Sequence, residues 1–452
     1  DKHVHDRAPS PFLDPVAPSD PAALAAAKAR LAEHVKPELA ARLAKYVESS
    51  PDADAVRIRP FELADEWKEE RREVLAAMLH AVPAGLVELR WAIVCPSCRT
   101  SAEEVTELSD IGKEGHCVMC DIAFELDLDR AVEATFRPHD AVRKVPLQLF
   151  CIGGPARTPH VLAQKIVAAG EETTFEAPSA LGRYRLFSRG GARASIEVVD
   201  DGAERASVRA SEEAMEPADV RVRPGAEIAV RNDTGRERHV KLERLEYASN
   251  AATAHELATL TEFRALFSGD LLKRETPLKV ARAAILFSDL TGSTALYTEV
   301  GDAAAFRLVD DHFDVLREGV AAHGGAVVKT MGDAVMAGFT DETACIEAAI
   351  ECLARFEGFR KKAKHGDRTH LKLGLYGGPC YVVTANGALD YFGSTVNVAS
   401  RLQHLAESGE IVLERRAAEP LANDPRVTIS APQAVRVKGI DHPLEVVHLR
   451  LV

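Results

Sequence analysis

Apolar residues recur at spacings of three and four from residue 21 to about residue 86, in PAALAAAKARLAEHVKPELAARLAKYV and again in FELADEWKEERREVLAAMLHAV. That period predicts helices over 21–90. Ser19-Asp20-Pro21 ahead of the first run supplies a cap and an early proline, which suits a helix start. Residues 1–20 are polar and proline-rich and read as a flexible leader. From about 124 to 247 the period shortens to two, in FELDLDRAVEATF, YRLFSRGGARASIEVVDD and DVRVRPGAEIAVRNDTGRERHVKLERLEY. Gly-Gly, Asp-Asp-Gly, Pro-Gly and Asn-Asp-Thr-Gly punctuate these runs, predicting a small antiparallel β domain over 126–250. Helical spacing returns at 251–267, where Leu257, Leu260, Phe263 and Phe267 share a face, so 251–280 reads as a linker helix. It either couples its neighbours or simply packs between them. The last stretch, 281–452, alternates strand and helix signals and has room for one sizeable α/β core.

Composition adds limits. A chain of 452 residues exceeds one hydrophobic core. With 46% hydrophobic and 28% charged residues it has the make-up of a soluble globular protein. A formal net charge of −13 disfavours a broad nucleic-acid or anionic-membrane surface, while leaving a local anion site open. No apolar stretch approaches the roughly 18 residues that cross a bilayer. The first residues lack a signal-peptide core, so a cytoplasmic location is expected. The chain opens on Asp1 rather than Met, which admits a missing N-terminal piece.

Four of the eight cysteines form C-x2-C-x18-C-x2-C: Cys95, Cys98, Cys117 and Cys120. Four thiolates at that spacing suit a zinc ribbon over 91–125 holding a structural Zn2+, with no open coordination position for chemistry. A redox pair or ordinary buried thiols are the alternatives, and His116 is a substitute ligand. The ribbon lacks a basic stripe, so no nucleic-acid role is expected. Cys151, Cys345, Cys352 and Cys380 are scattered and read as core residues.

In the last domain two carboxylates stand at the ends of apolar runs: Asp289 after AAILFS and Asp333 after AVVKTMG. Such positions are costly unless the charge is neutralised, and hard oxygen donors suit Mg2+ or Mn2+. Each alone is more ordinarily a turn former or cap. The LTGST that follows Asp289 offers a tight turn, a helix start and backbone N–H groups able to cradle phosphates, at Thr291, Gly292, Ser293 and Thr294.

FSDLTGST, KTMGDAVMAGF, DYFGSTVNVASR and VKG occur in this order, and together they resemble the class III adenylate and guanylate cyclases over about 281–452. The resemblance implies an α/β, ferredoxin-like catalytic domain at the end of a multidomain α+β chain. By position, Asp289 and Asp333, with Leu290 beside the first, match the family's metal-binding residues for two Mg2+ or Mn2+. Lys329 and Asp390 match its base-selecting pair. Asn397 and Arg401 match the residues that orient the ribose and stabilise the transition state, and Lys438 matches the lysine on the terminal phosphates. Adenine presents a ring-nitrogen acceptor and an amine donor, which Lys and Asp complement, whereas guanine presents the reverse; ATP is therefore the expected substrate. Guanylate cyclase and a catalytically silent nucleotide receptor are the rival readings. The resemblance also implies a homodimer in which the metal aspartates of one protomer work with Lys329 of the other, so that the head-to-tail pair holds two sites. Tyr376 and Gly377 stand where many members carry a His, away from the catalytic positions.

Upstream, RPFELADEW, TPHVLAQ and the ribbon resemble an uncharacterised domain found ahead of bacterial cyclases of this class, which implies regulation only by its position. The β region has a cupredoxin-like, β-sandwich look. Its residues rule out a blue-copper site, since 172–247 holds no Cys and one His, His239.

Overall fold

The computed structural model describes residues 16–95, 101–118, 120–146, 160–244, 251–273, 276–437, 440 and 442–452. The chain starts with helices α1 (Pro21–Leu31), α2 (Pro37–Ser49), α3 (Asp52–Ala55), α4 (Pro60–Trp67) and α5 (Arg71–Ala81). Proline opens α1, α2 and α4, at the position where a missing N–H costs no helical bond. Asp20 caps α1 by accepting from the N–H groups of Ala22 and Ala23, both at 2.9 Å. Residues 1–15 of the expected leader lie outside the described residues. The remainder is anchored: Ala17 donates its N–H to Asp52 at 2.9 Å and Asp20 donates to the Val142 carbonyl at 2.7 Å.

The helical region ends sooner than its pattern suggested. VELRWAIV forms β1 (Val87–Val94), the centre of a sheet with β2 (Ser101–Val105) and, after a short hairpin of β3 (Glu114–Cys117) and β4 (Ile122–Glu125), β5 (Val132–Pro138), in order β2-β1-β5. Its first five residues, VELRW, alternate apolar and charged, a strand period that the helical reading to residue 90 passed over, and the strand pairs with both neighbours.

A second sheet contains β6 (Val161–Val167), β7 (Glu172–Glu176), β8 (Gly182–Ser188), β9 (Arg193–Ala210), β10 (Met215–Glu216), β11 (Asp219–Asn232) and β12 (Arg238–Arg244), in order β6-β12-β8-β9-β11-β7 with β10 on β9. It encloses its own core around Leu186, Ile196, Val208 and Ile228. The expected antiparallel pairing fails at one place: β9 and β11 run parallel. Both strands are irregular at the same level, and Gly202 lies so close to β11 that an added Cβ would stand 2.2 Å from the Val222 carbonyl carbon. Alternation of period two is blind to strand direction, so the sequence pattern cannot report this.

The linker is two short helices instead of one, α6 (Ala254–Ala258) and α7 (Thr261–Leu266). A capping box of Thr253 and Glu256 starts the first, and an extended Leu260 separates them. Leu257, Leu260 and Phe263 are nonetheless buried. His255 is 1% exposed with Nε2 unpaired, and burial pushes its pKa down to about 3. The unfolded chain, with an ordinary His pKa near ~6.5, then binds more protons than the folded chain between ~3 and ~6.5, so stability falls as pH drops through that window. His255→Leu is expected to flatten the loss of denaturant midpoint between pH 6.5 and 5, where the carboxylates contribute least; an unchanged slope refutes the assignment.

The C-terminal domain holds β13 (Leu278–Thr291), α8 (Ser293–Val300), α9 (Asp302–Ala322), β14 (Ala326–Met331), β15 (Ala334–Phe339), α10 (Glu342–Lys362), β16 (His370–Ala385), β17 (Ala388–Phe392), α11 (Ser394–Leu405), β18 (Glu410–Glu414), α12 (Arg415–Ala418), β19 (Val427–Ile429), β20 (Gln433–Val435) and β21 (Leu444–Leu451). Its sheet runs β14-β15-β13-β16-β18-β21-β19, with antiparallel pairing across the first four strands. That βαββαβ order, with two long helices, is a ferredoxin-like arrangement. Alternate residues of β13 serve two cores. Ala284, Leu286 and Leu290 pack with residues of α9 and α10. Ala283, Ile285 and Phe287 belong to a core that continues through the linker to Leu24 of α1. The helical region, the first sheet and the catalytic-type domain therefore share one interior. No helix among the described residues is long and apolar enough to cross a membrane.

Candidate active site and thiolate cluster

The register of β13 and β15 brings the two aspartates to one end of the sheet. Ser288 pairs with Val335, and its Oγ accepts the Val335 N–H at 3.1 Å. Asp289 is one residue beyond that pair, and Asp333 sits in the β14–β15 turn two residues before it. Asp289 is also opposite Lys372 on β16, whose Nζ stands 2.7 Å from Oδ2. Sequence reasoning missed Lys372; alternation along LKLGLYG was its only signal. His312 of α9, wholly buried, lies under the same turn, with burial holding its pKa down against the nearby Asp333. Leu290 is 2% exposed, so its side chain belongs to the core and only its backbone carbonyl can serve a ligand.

The LTGST turn is built by close packing. Thr291 Oγ1 donates to the His370 carbonyl at 2.9 Å. Gly292 precedes α8 at φ 88°, where an added Cβ would stand 2.4 Å from the Arg368 carbonyl oxygen, so only glycine fits. Ser293 and Thr294 open α8, whose first N–H groups have no partner within the helix.

Across the sheet, Lys329 of β14 and Asp390 of β17 meet at 2.5 Å between Nζ and Oδ2, side chains 38% and 14% exposed. Asp390 Oδ1 accepts the Tyr391 N–H at 2.8 Å, which fixes the carboxylate plane. Residues 61 apart in sequence thus present a cation and an anion side by side. Asn397 and Arg401 lie one turn apart on α11, Asn397 exposed and Arg401 half-buried. Arg401 Nη1 is buried with no hydrogen-bond partner. A buried guanidinium N–H is costly without an acceptor, and an oxyanion supplies one. The helix is held close by Gly374, where an added Cβ would be 2.0 Å from the Gln403 nitrogen. Gly377, at the position noted above as a departure, leaves room for Glu342: an added Cβ there would be 2.6 Å from Oε1. Lys438 lies outside the described residues.

Cys95, Cys117 and Cys120 all precede this region in the sequence and form a cluster of their own. The sulfurs of Cys95, Cys117 and Cys120 all lie within 4.8 Å of one another, and all three residues are buried. The β3–β4 knuckle supplies two of them, with the Cys120 N–H 3.4 Å from Cys117 Sγ. Cys98 lies outside the described residues. Phe187 packs on the cluster and Gly190 donates its N–H to the Cys120 carbonyl at 3.0 Å, so the β8–β9 turn docks on the knuckle.

Residues 277–450 match the family model described as the adenylate and guanylate cyclase catalytic domain, and residues 22–148 match a family of unknown function, DUF5939. Residues 277–450 are a class III cyclase catalytic domain. Among curated relatives, this chain is 32% identical over 171 residues to an adenylate cyclase of Glutamicibacter nicotianae, covering 36% of this chain and 38% of that protein. It is 33% identical over 143 residues to an adenylate cyclase of Streptomyces coelicolor, covering 31% and 34%. The chain thus spans little more than a third of the length of the relatives it matches. Among solved structures, the adenylyl cyclase CyaB from P. aeruginosa aligns with 23% identity and a TM-score of 0.34 over 38% of this chain and 95% of that one. The catalytic core of a rhodopsin-guanylyl cyclase with converted specificity aligns with 18% identity and a TM-score of 0.35 over 39% and 99%.

Proposed function

We propose that this chain is a class III adenylate cyclase that converts ATP to 3′,5′-cyclic AMP and pyrophosphate in a homodimer with shared sites, regulated by its upstream half. The observation that carries this reading is the Lys329–Asp390 pair at 2.5 Å. An ammonium beside a carboxylate complements the ring nitrogen and exocyclic amine of adenine, and a guanine edge would leave both groups facing like partners.

The donor set fits two divalent cations. Asp289 and Asp333 offer hard carboxylate oxygens at one sheet end, and Leu290 offers a carbonyl. Bound there, Mg2+ or Mn2+ neutralises the triphosphate and favours the ionised ribose 3′-oxygen. The remaining work is positioning. Asn397 orients the ribose, and Arg401 turns its unpaired N–H toward the phosphoryl group undergoing displacement. The first amides of α8, at Ser293 and Thr294 behind Thr291 and Gly292, face phosphate oxygens. Lys438 holds the leaving pyrophosphate.

The purified chain is expected to form cyclic AMP from ATP with Mn2+ or Mg2+, and at least tenfold less cyclic GMP from GTP. Equal or faster turnover of GTP would make it a guanylate cyclase. No product from either nucleotide would make it a silent receptor.

The thiolate cluster fits a structural Zn2+, held by Cys95, Cys117 and Cys120 with Cys98 as the fourth ligand. About one zinc per chain is expected by elemental analysis, because four thiolates close a single tetrahedral site. Cys117→Ser should lose that zinc and lower the thermal midpoint. Zinc-free protein with an unchanged midpoint in the variant would instead identify plain buried thiols.

A further inference from the structure

The linker reaches the strand that carries Asp390. Arg264 of α7 donates Nε to the Ala258 carbonyl at 2.7 Å and Nη1 to the Leu389 carbonyl at 3.0 Å. Leu389 immediately precedes Asp390, and the residue that follows, Tyr391, gives its N–H to Asp390 Oδ1. The peptide groups on both sides of Asp390 are therefore pinned, one of them from outside the catalytic domain. A second tie lies opposite: Thr384, which pairs with Leu389 across the β16–β17 hairpin, donates Oγ1 to the Leu272 carbonyl at 2.6 Å. Leu260, Phe263 and Leu272 share a core with Leu389 and Tyr391, so both polar ties sit on an apolar seat.

The upstream sheet grips the linker on either side of Arg264. Trp91 of β1 packs edge-on against Phe263, ring centroids 5.8 Å apart. Its Nε1 donates to Asp270 Oδ2 at 3.0 Å, and Asp270 Oδ1 accepts the Leu108 N–H at 2.7 Å. A shift of that sheet moves the linker, and the linker holds the hairpin. Among the described residues β17 pairs with β16 and with no second strand. Small displacements of β17 thus fall on the Lys329–Asp390 contact.

We propose that Arg264 is a positioning residue for nucleobase selection: through the Leu389 carbonyl it sets Asp390 against Lys329, so the preference for adenine depends on how the upstream half seats the linker. This rests on the cyclase reading above, and it adds a residue and a route that the family motifs do not contain.

The test uses the full chain with Arg264→Ala, Arg264→Lys and Thr384→Val. Each is assayed for kcat and KM with ATP and with GTP, and for thermal midpoint. Loosening one polar contact to the base is expected to cut the ATP-over-GTP ratio of kcat/KM about tenfold in Arg264→Ala. The change should come from a higher KM for ATP, with kcat held within about twofold. Arg264→Lys, which keeps a donor, should recover part of the ratio, and Thr384→Val should shift it the same way by less. An unchanged ratio in all three variants, with any activity loss following the thermal midpoint, overturns the inference and leaves Arg264 as a structural tie. Wild-type protein that turns over neither nucleotide overturns the cyclase reading itself and this inference with it, an outcome distinguishable from the first because there the wild type is active.

Discussion

Asp289→Ala and Asn397→Ala are each expected to abolish cyclic AMP formation alone and to regain activity when mixed. Asp289 and Asp333 occupy one end of the sheet, while Lys329, Asp390, Asn397 and Arg401 belong to β14, β17 and α11. In the proposed shared-site homodimer each site would take its metal aspartates from one protomer and the other four residues from its partner. A heterodimer of the two variants then contains one site with both defects and one with neither. Random exchange makes about half of the dimers mixed, and each carries one of two sites, so about a quarter of wild-type activity should return. Activity that stays absent although heterodimers are demonstrated by differential tagging would mean that each protomer builds its own site. Lys372 adds a control: its ammonium already pairs with Asp289. Lys372→Met should leave complementation intact while changing the metal concentration needed for half-maximal rate.

The catalytic domain was legible because four motifs, FSDLTGST, KTMGDAVMAGF, DYFGSTVNVASR and VKG, stand in the order of one family. The carboxylates at the ends of apolar runs, taken singly, read as ordinary turn formers or caps. The cysteine spacing pointed to a candidate cluster, and the structure gathers Cys95, Cys117 and Cys120. What failed to show was anything decided by tertiary contact. VELRWAIV is the exception: its first half alternates apolar and charged, a strand signal hidden behind the helical spacing that precedes it. The parallel run of β9 and β11 depends on the backbone approach at Gly202, which no side-chain period records. The linker looked like one helix because Leu257, Leu260 and Phe263 keep helical spacing, yet the break at Leu260 preserves their burial.

The shared interior was the least readable feature. β13 carries the apolar run AAILF, which marks both of its faces as buried without saying against what. In the structure its second face, Ala283, Ile285 and Phe287, is buried against the linker and the upstream helices. That arrangement gives the DUF5939 region and β13 one interior, on a face of the sheet that α11 of the catalytic domain also covers.

Arg401→Ala is expected to lower kcat by about 10²–10³, the usual cost of removing one donor aimed at developing negative charge. The KM for ATP should change little, because the contact strengthens as the ribose oxygen attacks and the pyrophosphate leaves. The structure supplies the reason for a large effect. Nη1 of Arg401 is buried without an acceptor, so its desolvation has already been met in the free protein and is offset only when an oxyanion arrives. A surface arginine would exchange water for phosphate at little net gain. Arg401→Lys should recover only a small part, since one ammonium cannot reproduce the planar fork. Asn397, four residues earlier on the same face of α11, provides the contrast. It is exposed, and in its proposed role of orienting the ribose its loss, Asn397→Ala, should also disturb KM. Rapid-quench measurement of a single turnover separates the two residues: Arg401→Ala must slow the chemical step itself. If the single-turnover rate is unchanged and only steady-state release slows, Arg401 acts on pyrophosphate departure and the transition-state role is wrong.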